Sequence, residues 1–143
     1  MPARVTPMFA LLALLALPLT ASAQLANLHV LVTQLEPATG KVEVSLFDNA
    51  EDFMKKPFLQ QTLPVDGNSE LQFEFAGLVD GAYGVVVVHD ENDNGVYDAG
   101  FLGFGGEGLG YSNDARPWLG RPSFEAVRVD VGTEDLEIVI RTD

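Results

Sequence analysis

Hydrophobic and polar residues alternate along most of the chain after residue 24, a pattern typical of strands with one buried face. Strands are predicted at 27–35, 41–48, 62–65, 71–75, 83–89, 127–131 and 136–140. Four consecutive valines, at residues 85–88, indicate a central strand covered on both faces. About seven short strands without an internal repeat predict one all-β domain, an Ig-like or transthyretin-like β-sandwich.

Two segments depart from the period-two pattern. Asp48 and Glu51 can cap a helix and Pro57 would stop it, so one short helix is expected at about residues 48–55. Residues 99–122 contain six glycines between Gly100 and Gly110, with aromatic residues among them. This segment predicts a long irregular loop, and such loops are often functional.

The first 23 residues have the features of a signal peptide. Arg4 supplies a positive charge, an apolar run of twelve residues follows at 8–19, and Ala21-Ser22-Ala23 fits a cleavage site. Twelve residues are too few to cross a hydrocarbon core of about 30 Å. We therefore expect an exported protein, periplasmic or secreted, with residues 24–143 as its domain and no membrane insertion after cleavage.

The charge of the chain restricts its partners. Eight basic residues stand against 21 acidic ones, which gives a net charge of −13. Such a surface disfavours nucleic acid and favours cations or basic partners, although solubility alone explains it equally well. The chain has no cysteine, so export brings no disulfides and stability depends on an apolar core. The partner, a protein or a small ligand, is left open.

The stretch that follows the valines predicts a calcium-binding loop. Oxygen-bearing side chains occupy positions 1, 3, 5 and 9 of a calcium-loop pattern, and they are Asp90, Asn92, Asn94 and Asp98. Gly95 stands at position 6, where a sharp turn is needed, and Val96 at position 7 would contribute its carbonyl oxygen. Calcium is the cofactor that this spacing favours.

The calcium pattern is incomplete. Position 12, which holds a bidentate Glu in an EF-hand, is Phe101 here. Glu107 is the candidate for the missing ligand, and Asp114, the backbone and water are alternatives. Asn-Gly and Asp-rich segments also form ordinary hairpin turns, so a solvated acidic turn is the competing interpretation.

Two further functions stay open at this point. The aromatic and amide side chains of the long loop could bind a small ligand or glycan, and they are Phe101, Phe104, Tyr111, Asn113 and Trp118. A hydrolase would centre on His89, Glu107 and Ser112, but its serine lacks the second glycine of a nucleophile elbow. A non-enzymatic role is favoured, with no residue assigned to catalysis.

Two series of residues resemble known families. FAGL at residues 75–78 and DGAY at 80–83 look like a motif of transthyretin-like and carboxypeptidase-regulatory-like β-sandwiches. The longer series closely resembles a bacterial family of exported proteins that is catalogued as domain of unknown function 2141. It consists of HDENDNG at 89–95, Asp98, FLG at 101–103, EGLG at 107–110 and SN at 112–113.

The resemblance spans nearly all of the chain after residue 24 and implies an exported single-domain β-sandwich without an established activity. This chain departs from the family pattern at two positions. The family usually has Gly where Asp93 stands, and it tends to have Pro where Gly105 stands. Neither departure removes a candidate calcium ligand.

Overall fold

The computed structural model describes residues 23–99, 106–118 and 120–142. These residues form eight strands in two sheets, so the all-β sandwich is confirmed with one strand more than expected. The strands are β1 (Leu25–Thr33), β2 (Lys41–Phe47), β3 (Leu59–Pro64), β4 (Glu70–Val79), β5 (Gly81–Asp90), β6 (Gly108–Tyr111), β7 (Arg128–Val131) and β8 (Leu136–Arg141). Among the described residues, no helix has the length and apolar character needed to cross a bilayer. The proposed signal peptide, apart from Ala23, lies outside the described residues.

The smaller sheet has the order β4-β1-β8. Its central strand, β1, pairs antiparallel with β4 and parallel with β8. Leu28, Val30 and Val32 are fully buried, whereas His29 between them is partly exposed. The alternation in the sequence therefore sets which face of this sheet packs on the core.

The larger sheet has the order β3-β2-β5, and both β6 and β7 pair with the far side of β5. β6 lies beside residues 86–89 of β5, and β7 lies beside residues 81–84. Strand β5 is therefore central, as the valine run predicts. This arrangement also brings the residue before β6, Glu107, close to the end of β5.

Apolar side chains fill both faces of β5. Val85 and Val87 belong to the main core between the sheets, together with Leu28 and Phe75. On the other face, Val86 packs with a second cluster that contains Phe47, Phe53 and Phe124. The ring centroids of Phe47 and Phe53 are 5.3 Å apart in an edge-to-face contact, a favourable arrangement for aromatic rings.

The helix expected at about 48–55 is wrong, because this segment forms turns. The Asn49 side chain accepts a hydrogen bond from the Asp52 N–H at 2.8 Å, and Met54 has a φ of +56°. The Asn49 bond is the kind that caps a helix start, but the positive φ of Met54 ends the turn before a helix can continue.

The short α-helix of the structure lies elsewhere, at Phe124–Val127 (α1). Ser123 caps its first turn, since the Ser123 side chain accepts a hydrogen bond from the Ala126 N–H at 3.2 Å. Val127 was expected in the following strand, but it ends this helix, and β7 begins at Arg128.

The segment 99–122 is more regular than predicted, because it contains β6 and a 3₁₀ turn at Ser112–Asp114. The sequence of β6, Gly-Leu-Gly-Tyr, has no apolar alternation. Its glycines are required by close packing: a Cβ on Gly110 would lie 2.6 Å from the carbonyl oxygen of Arg141. Only a residue without a side chain lets β8 approach at this distance.

Candidate functional site

The acidic loop, residues 90–98, begins at a buried carboxylate. Asp90 is the last residue of β5 and is 4% exposed. Its two carboxylate oxygens accept hydrogen bonds from the backbone N–H groups of Asn94 at 3.1 Å and Gly95 at 2.8 Å. Gly95 has a φ of +78°, a conformation that glycine adopts without strain. Asp90 therefore folds the first half of the loop into a tight turn.

Three other predicted ligands meet on the exposed side of the loop. The side-chain amides of Asn92 and Asn94 both donate to the same Asp98 oxygen, Oδ2, at 3.0 Å. Their Oδ1 atoms face the backbone and accept hydrogen bonds from the N–H groups of Asn94 at 3.0 Å and Val96 at 2.7 Å. Val96 itself is 62% exposed. The side chains thus converge on Asp98 with their amide nitrogens turned inward.

Glu107 joins the two ends of the acidic loop. Its side chain is buried, with 7% exposure, directly before β6. One carboxylate oxygen accepts the N–H of Glu91 at 3.2 Å, and the other accepts the N–H of Asp98 at 2.9 Å. The Glu107 N–H also donates to the Asp98 carbonyl at 2.8 Å. Glu107 therefore reaches the acidic loop, where its carboxylate bonds to the loop backbone.

A lysine from the neighbouring strand supplies a positive charge to the loop. Lys41 begins β2 and pairs with Asp90 in the ladder between β2 and β5. The Lys41 ammonium nitrogen lies 2.7 Å from Asp93 Oδ1 and 3.3 Å from Asp90 Oδ2. The hydrogen bond with Asp93 raises the pKa of Lys41, burial opposes this, and Asp90 adds to the increase.

The pKa of Asp90 is lowered by its surroundings. Burial alone would raise this pKa, but hydrogen bonds from Gly95 and Asn94 and the nearby Lys41 ammonium outweigh burial. Asp90 is therefore held as a carboxylate. An ionised oxygen at this position suits either hydrogen bonding or a hard cation.

The turn before β2 packs directly on the start of the acidic loop. His89 is 1% exposed, and its Nε2 donates to the Thr39 carbonyl at 2.8 Å. The Thr39 hydroxyl in turn donates to the Glu91 carbonyl at 3.3 Å. A Cβ on Gly40 would lie 2.0 Å from the Asp90 carbonyl oxygen. The main chain around Asp90 is consequently held from two sides.

The carboxylates of the loop do not form a metal cage by themselves. Within the described residues, no group of three or more His, Asp or Glu side chains is arranged to hold a metal ion. Asp90, Asp98 and Glu107 therefore do not meet at one point. Any ion in this loop would need, besides one or two of these carboxylates, the amide oxygens of Asn92 and Asn94, backbone carbonyls and water.

The structure does not bring the hydrolase residues together. Ser112 is fully buried, and its hydroxyl bonds to the backbone of Val85 and Val127. His89 bonds to Thr39, and its buried Nδ1 has no hydrogen-bond partner within the part of the chain that the structure describes. A nucleophile needs a base within hydrogen-bond reach. Ser112 instead connects β5, the 3₁₀ turn and α1.

The aromatic groove is not formed by the described part of the long loop. Tyr111 packs against the second apolar cluster, whereas Trp118 is 94% exposed and so contacts almost nothing. Asn113 donates to the backbone carbonyls of Ala126 at 3.3 Å and Arg128 at 2.6 Å. Phe101 and Phe104 lie outside the described residues.

Comparison with known proteins identifies a family. The family described as "Uncharacterized protein conserved in bacteria (DUF2141)" matches residues 30–139, which is most of the chain. The chain is a member of DUF2141. No curated protein and no solved structure matches it. The match covers both sheets and the acidic loop, and the family description gives no activity.

The structure explains one way in which this DUF2141 member differs from the pattern described above. Asp93 stands where the family usually has Gly, and its φ is +57°. Glycine adopts this conformation freely, while Asp is among the few other residues that tolerate it. In this chain the Asp93 carboxylate holds the Lys41 ammonium at 2.7 Å, so the departure adds an ion pair to the loop.

Sequence reasoning missed Lys41 as a site residue. The hydrophobic pattern places Lys41 at the start of a strand but does not say which strand lies beside it. The pairing of β2 with β5, and hence the contact between Lys41 and Asp90, depends on the sheet order. The chain has only eight basic residues, so a lysine at the start of a strand was the one sequence signal that could have suggested a contact with the acidic loop.

Proposed function

We propose that this DUF2141 protein is an exported β-sandwich module whose acidic loop binds one calcium ion, and that the ion has a structural or interaction role. The observation that carries the proposal is the convergence of Asn92 and Asn94 on one oxygen of Asp98, each at 3.0 Å. Calcium sites collect oxygen ligands from alternate positions of such a tight loop. Asp90, with its ionised and buried carboxylate, closes the same turn.

Calcium binding requires a local rearrangement of the two amides. Asn92 and Asn94 would turn their Oδ1 atoms toward the ion. Each oxygen would then give up its hydrogen bond from a backbone N–H, that of Asn94 or of Val96, and gain a contact with calcium. Each such bond contributes about 0.5–1.5 kcal/mol net. The energetic cost favours weak binding, with Kd roughly 10⁻⁴ to 10⁻³ M as in extracellular modules.

Charge and space support the proposal. Residues 90–98 carry four carboxylates, and the ion pairs of Lys41 involve two of them, Asp90 and Asp93. Like charges at this spacing repel one another, and a divalent cation relieves the repulsion. A hollow of about 290 Å³ is lined by Asp90, Gly95 and Val96 but not by Asn92, Asn94 or Asp98, so it offers room for water ligands on the Asp90 side of the loop.

Export is supported by the position of the first strand. β1 begins at Leu25, and Ala26 is the first buried residue among residues 23–142 that the structure describes. Cleavage after Ala23 would therefore leave all strands of that part of the chain intact. Amino-terminal sequencing of the protein recovered from outside the cytoplasm tests this part of the proposal: Gln24 is the expected first residue, and an uncleaved or cytoplasmic protein contradicts it.

The calcium proposal is tested by calorimetry with an isosteric pair of variants. Wild type is expected to bind one calcium at millimolar concentrations, and Asp98→Asn to lose at least tenfold in affinity, because it removes the charge on which the amides converge. Asp66→Asn is the matched control: Asp66 is an exposed turn residue with a φ of +48°, which Asn also tolerates. The proposal fails if wild type shows no calcium heat, or if both variants weaken binding equally.

One observation favours a second candidate function, the binding of a small ligand or glycan. Trp118 is the single tryptophan of the chain and is 94% exposed, which is unusual for so large an aromatic side chain. Its fluorescence reports directly on any ligand that stacks on the ring. A blue shift with soluble oligosaccharides or amphipathic ligands, together with a binding heat that Trp118→Ala weakens, would support this candidate. An unchanged spectrum would exclude it for the ligands tested.

A further inference from the structure

Strand β3 is an edge strand that lacks charged side chains, and Pro64 at its end is its one residue of a protective type. Among the described residues it pairs on one side with β2 and has no strand on the other side. Five of its six residues are exposed, including Leu59 at 38% and Leu63 at 37%. Natural proteins normally guard such an edge with charged side chains, bulges or a covering loop.

The other edges of the two sheets carry this protection. β4 has Glu70 and Glu74, β8 has Glu137 and Arg141, and β7 has Arg128 and Asp130. The short β6 lies so close to β8 that a Cβ on Gly110 would meet the Arg141 carbonyl at 2.6 Å. β3, with the sequence Leu-Gln-Gln-Thr-Leu-Pro, has no charge. Its exposed backbone groups are therefore open to pairing with another strand.

The sequence of β3 is complementary to itself in the antiparallel direction. If a two-fold axis passes through Gln61, Leu59 of one copy faces Leu63 of the other, and Gln60 faces Thr62. Apolar groups then meet apolar groups, and an amide meets a hydroxyl, both of which are favourable cross-strand pairs. Two-fold interfaces of this kind use the same patch on both subunits.

Charge also favours this edge for a second copy. Two chains that each carry −13 repel one another over most of their surfaces. Residues 57–65 contain no charged side chain, so this is a place where two copies can approach. In the same register, Lys56 of each copy lies opposite Asp66 of the other copy, at the two ends of the paired strands. This gives two pairs of opposite charges.

The side chains of β3 are positioned for such a contact. Leu59 pairs with Leu46 and Leu63 with Val42, whose side chains are in the core, so both leucines lie at the open margin of the sandwich. Gln61 between them donates across this margin to the Glu74 carbonyl at 2.7 Å. Addition of a strand would cover the two leucines without disturbing β2.

We infer that β3 is a self-association edge, at which two copies of this chain pair their β3 strands antiparallel about Gln61. Each sandwich then contributes its larger sheet to one continuous sheet. A contact between two six-residue edges is smaller than the interfaces of stable complexes, which bury about 1,200–2,000 Å². The dimer is therefore weak and needs a high protein concentration to be populated.

Sedimentation velocity on the purified protein between 10 µM and 1 mM tests this inference. Wild type is expected to shift from monomer toward dimer, while Leu59→Lys/Leu63→Lys and Leu59→Glu/Leu63→Glu each stay monomeric, because like charges then face each other at both positions. An equimolar mixture of the two variants restores the dimer, since Lys then faces Glu twice. Circular dichroism of each variant confirms the fold. A wild type that is monomeric at 1 mM, or variants that dimerise alone, overturn the inference.

A single introduced cysteine tests the register, because the chain has none of its own. Gln61→Cys lies on the proposed two-fold axis and should form an intermolecular disulfide under mild oxidation at 0.5 mM protein. Glu137→Cys, on the exposed face of β8, is the control and should form at least fivefold less. Equal crosslinking of both variants would mean random collision and would contradict the register.

Discussion

The contact of Glu107 with both ends of the acidic loop gives the most specific stability prediction. Its two carboxylate oxygens accept the N–H groups of Glu91 and Asp98 in a buried position. In Glu107→Gln one oxygen is replaced by an amide NH₂. This NH₂ group then faces the N–H of Glu91 or Asp98, so two hydrogen-bond donors meet without an acceptor. The loss of one charge-assisted hydrogen bond, with a partly buried N–H left unpaired, costs about 2 kcal/mol. For a domain of this size that lowers Tm by about 6–10 °C.

Urea denaturation followed by far-ultraviolet circular dichroism measures this effect. Tryptophan fluorescence is the weaker probe, because Trp118 is already 94% exposed in the folded protein. Amide hydrogen exchange should show faster exchange at Glu91 and Asp98 in the variant. Glu137→Gln, an exposed residue on β8, is the control and should change stability by less than about 0.5 kcal/mol. If Glu107→Gln unfolds at the wild-type urea concentration with both amides still protected, Glu107 does not hold the loop.

Three further predictions concern the contact between β6 and β8 and the charged groups of the acidic loop. Gly110→Ala places a Cβ 2.6 Å from the Arg141 carbonyl and should destabilise the protein to urea by about 1–3 kcal/mol, while Gly132→Ala, with open space around it, should not. The folded-state pKa of Asp90 is lowered, so its stabilisation is present above the unfolded pKa of about 3.9 and is lost as pH falls through the folded pKa. The stability gap between wild type and Asp90→Asn should therefore narrow in acid denaturation below about pH 4, and a constant gap would refute the assignment. Lys41→Met removes the ammonium that competes for Asp90 and should raise calcium affinity severalfold by calorimetry; unchanged affinity would place the ion elsewhere.

Much of the sandwich could be predicted, because the alternation of apolar and polar residues along a strand indicates which side chains face the core. Leu28, Val30 and Val32 are buried as the pattern requires, and the valine run is covered on both faces. The prediction failed where the backbone conformation of a single residue decided the outcome. The positive φ of Met54 leaves turns where capping residues suggested a helix.

The glycine-rich strand β6 was missed for a different reason. Two of its four residues are glycines, and Gly110 lets β8 approach closely. The strand therefore shows no alternation of apolar and polar side chains. The extent of the loop could be predicted from the spacing of Asp90, Asn92, Asn94 and Asp98. The contacts of Lys41 and the backbone bonds of Glu107 could not, since they depend on β2 and β6 lying on opposite sides of β5.

A calcium titration followed by ¹H–¹⁵N correlation spectra tests the central claim residue by residue. The proposal expects shifts that saturate at millimolar calcium and are largest at the amides of residues 91–98, with a smaller change at Glu107. Magnesium at the same concentration should produce smaller shifts, because it accepts irregular oxygen sites poorly. Shifts spread evenly over the acidic surface, or a loop whose amides do not respond at 10 mM calcium, would contradict the claim.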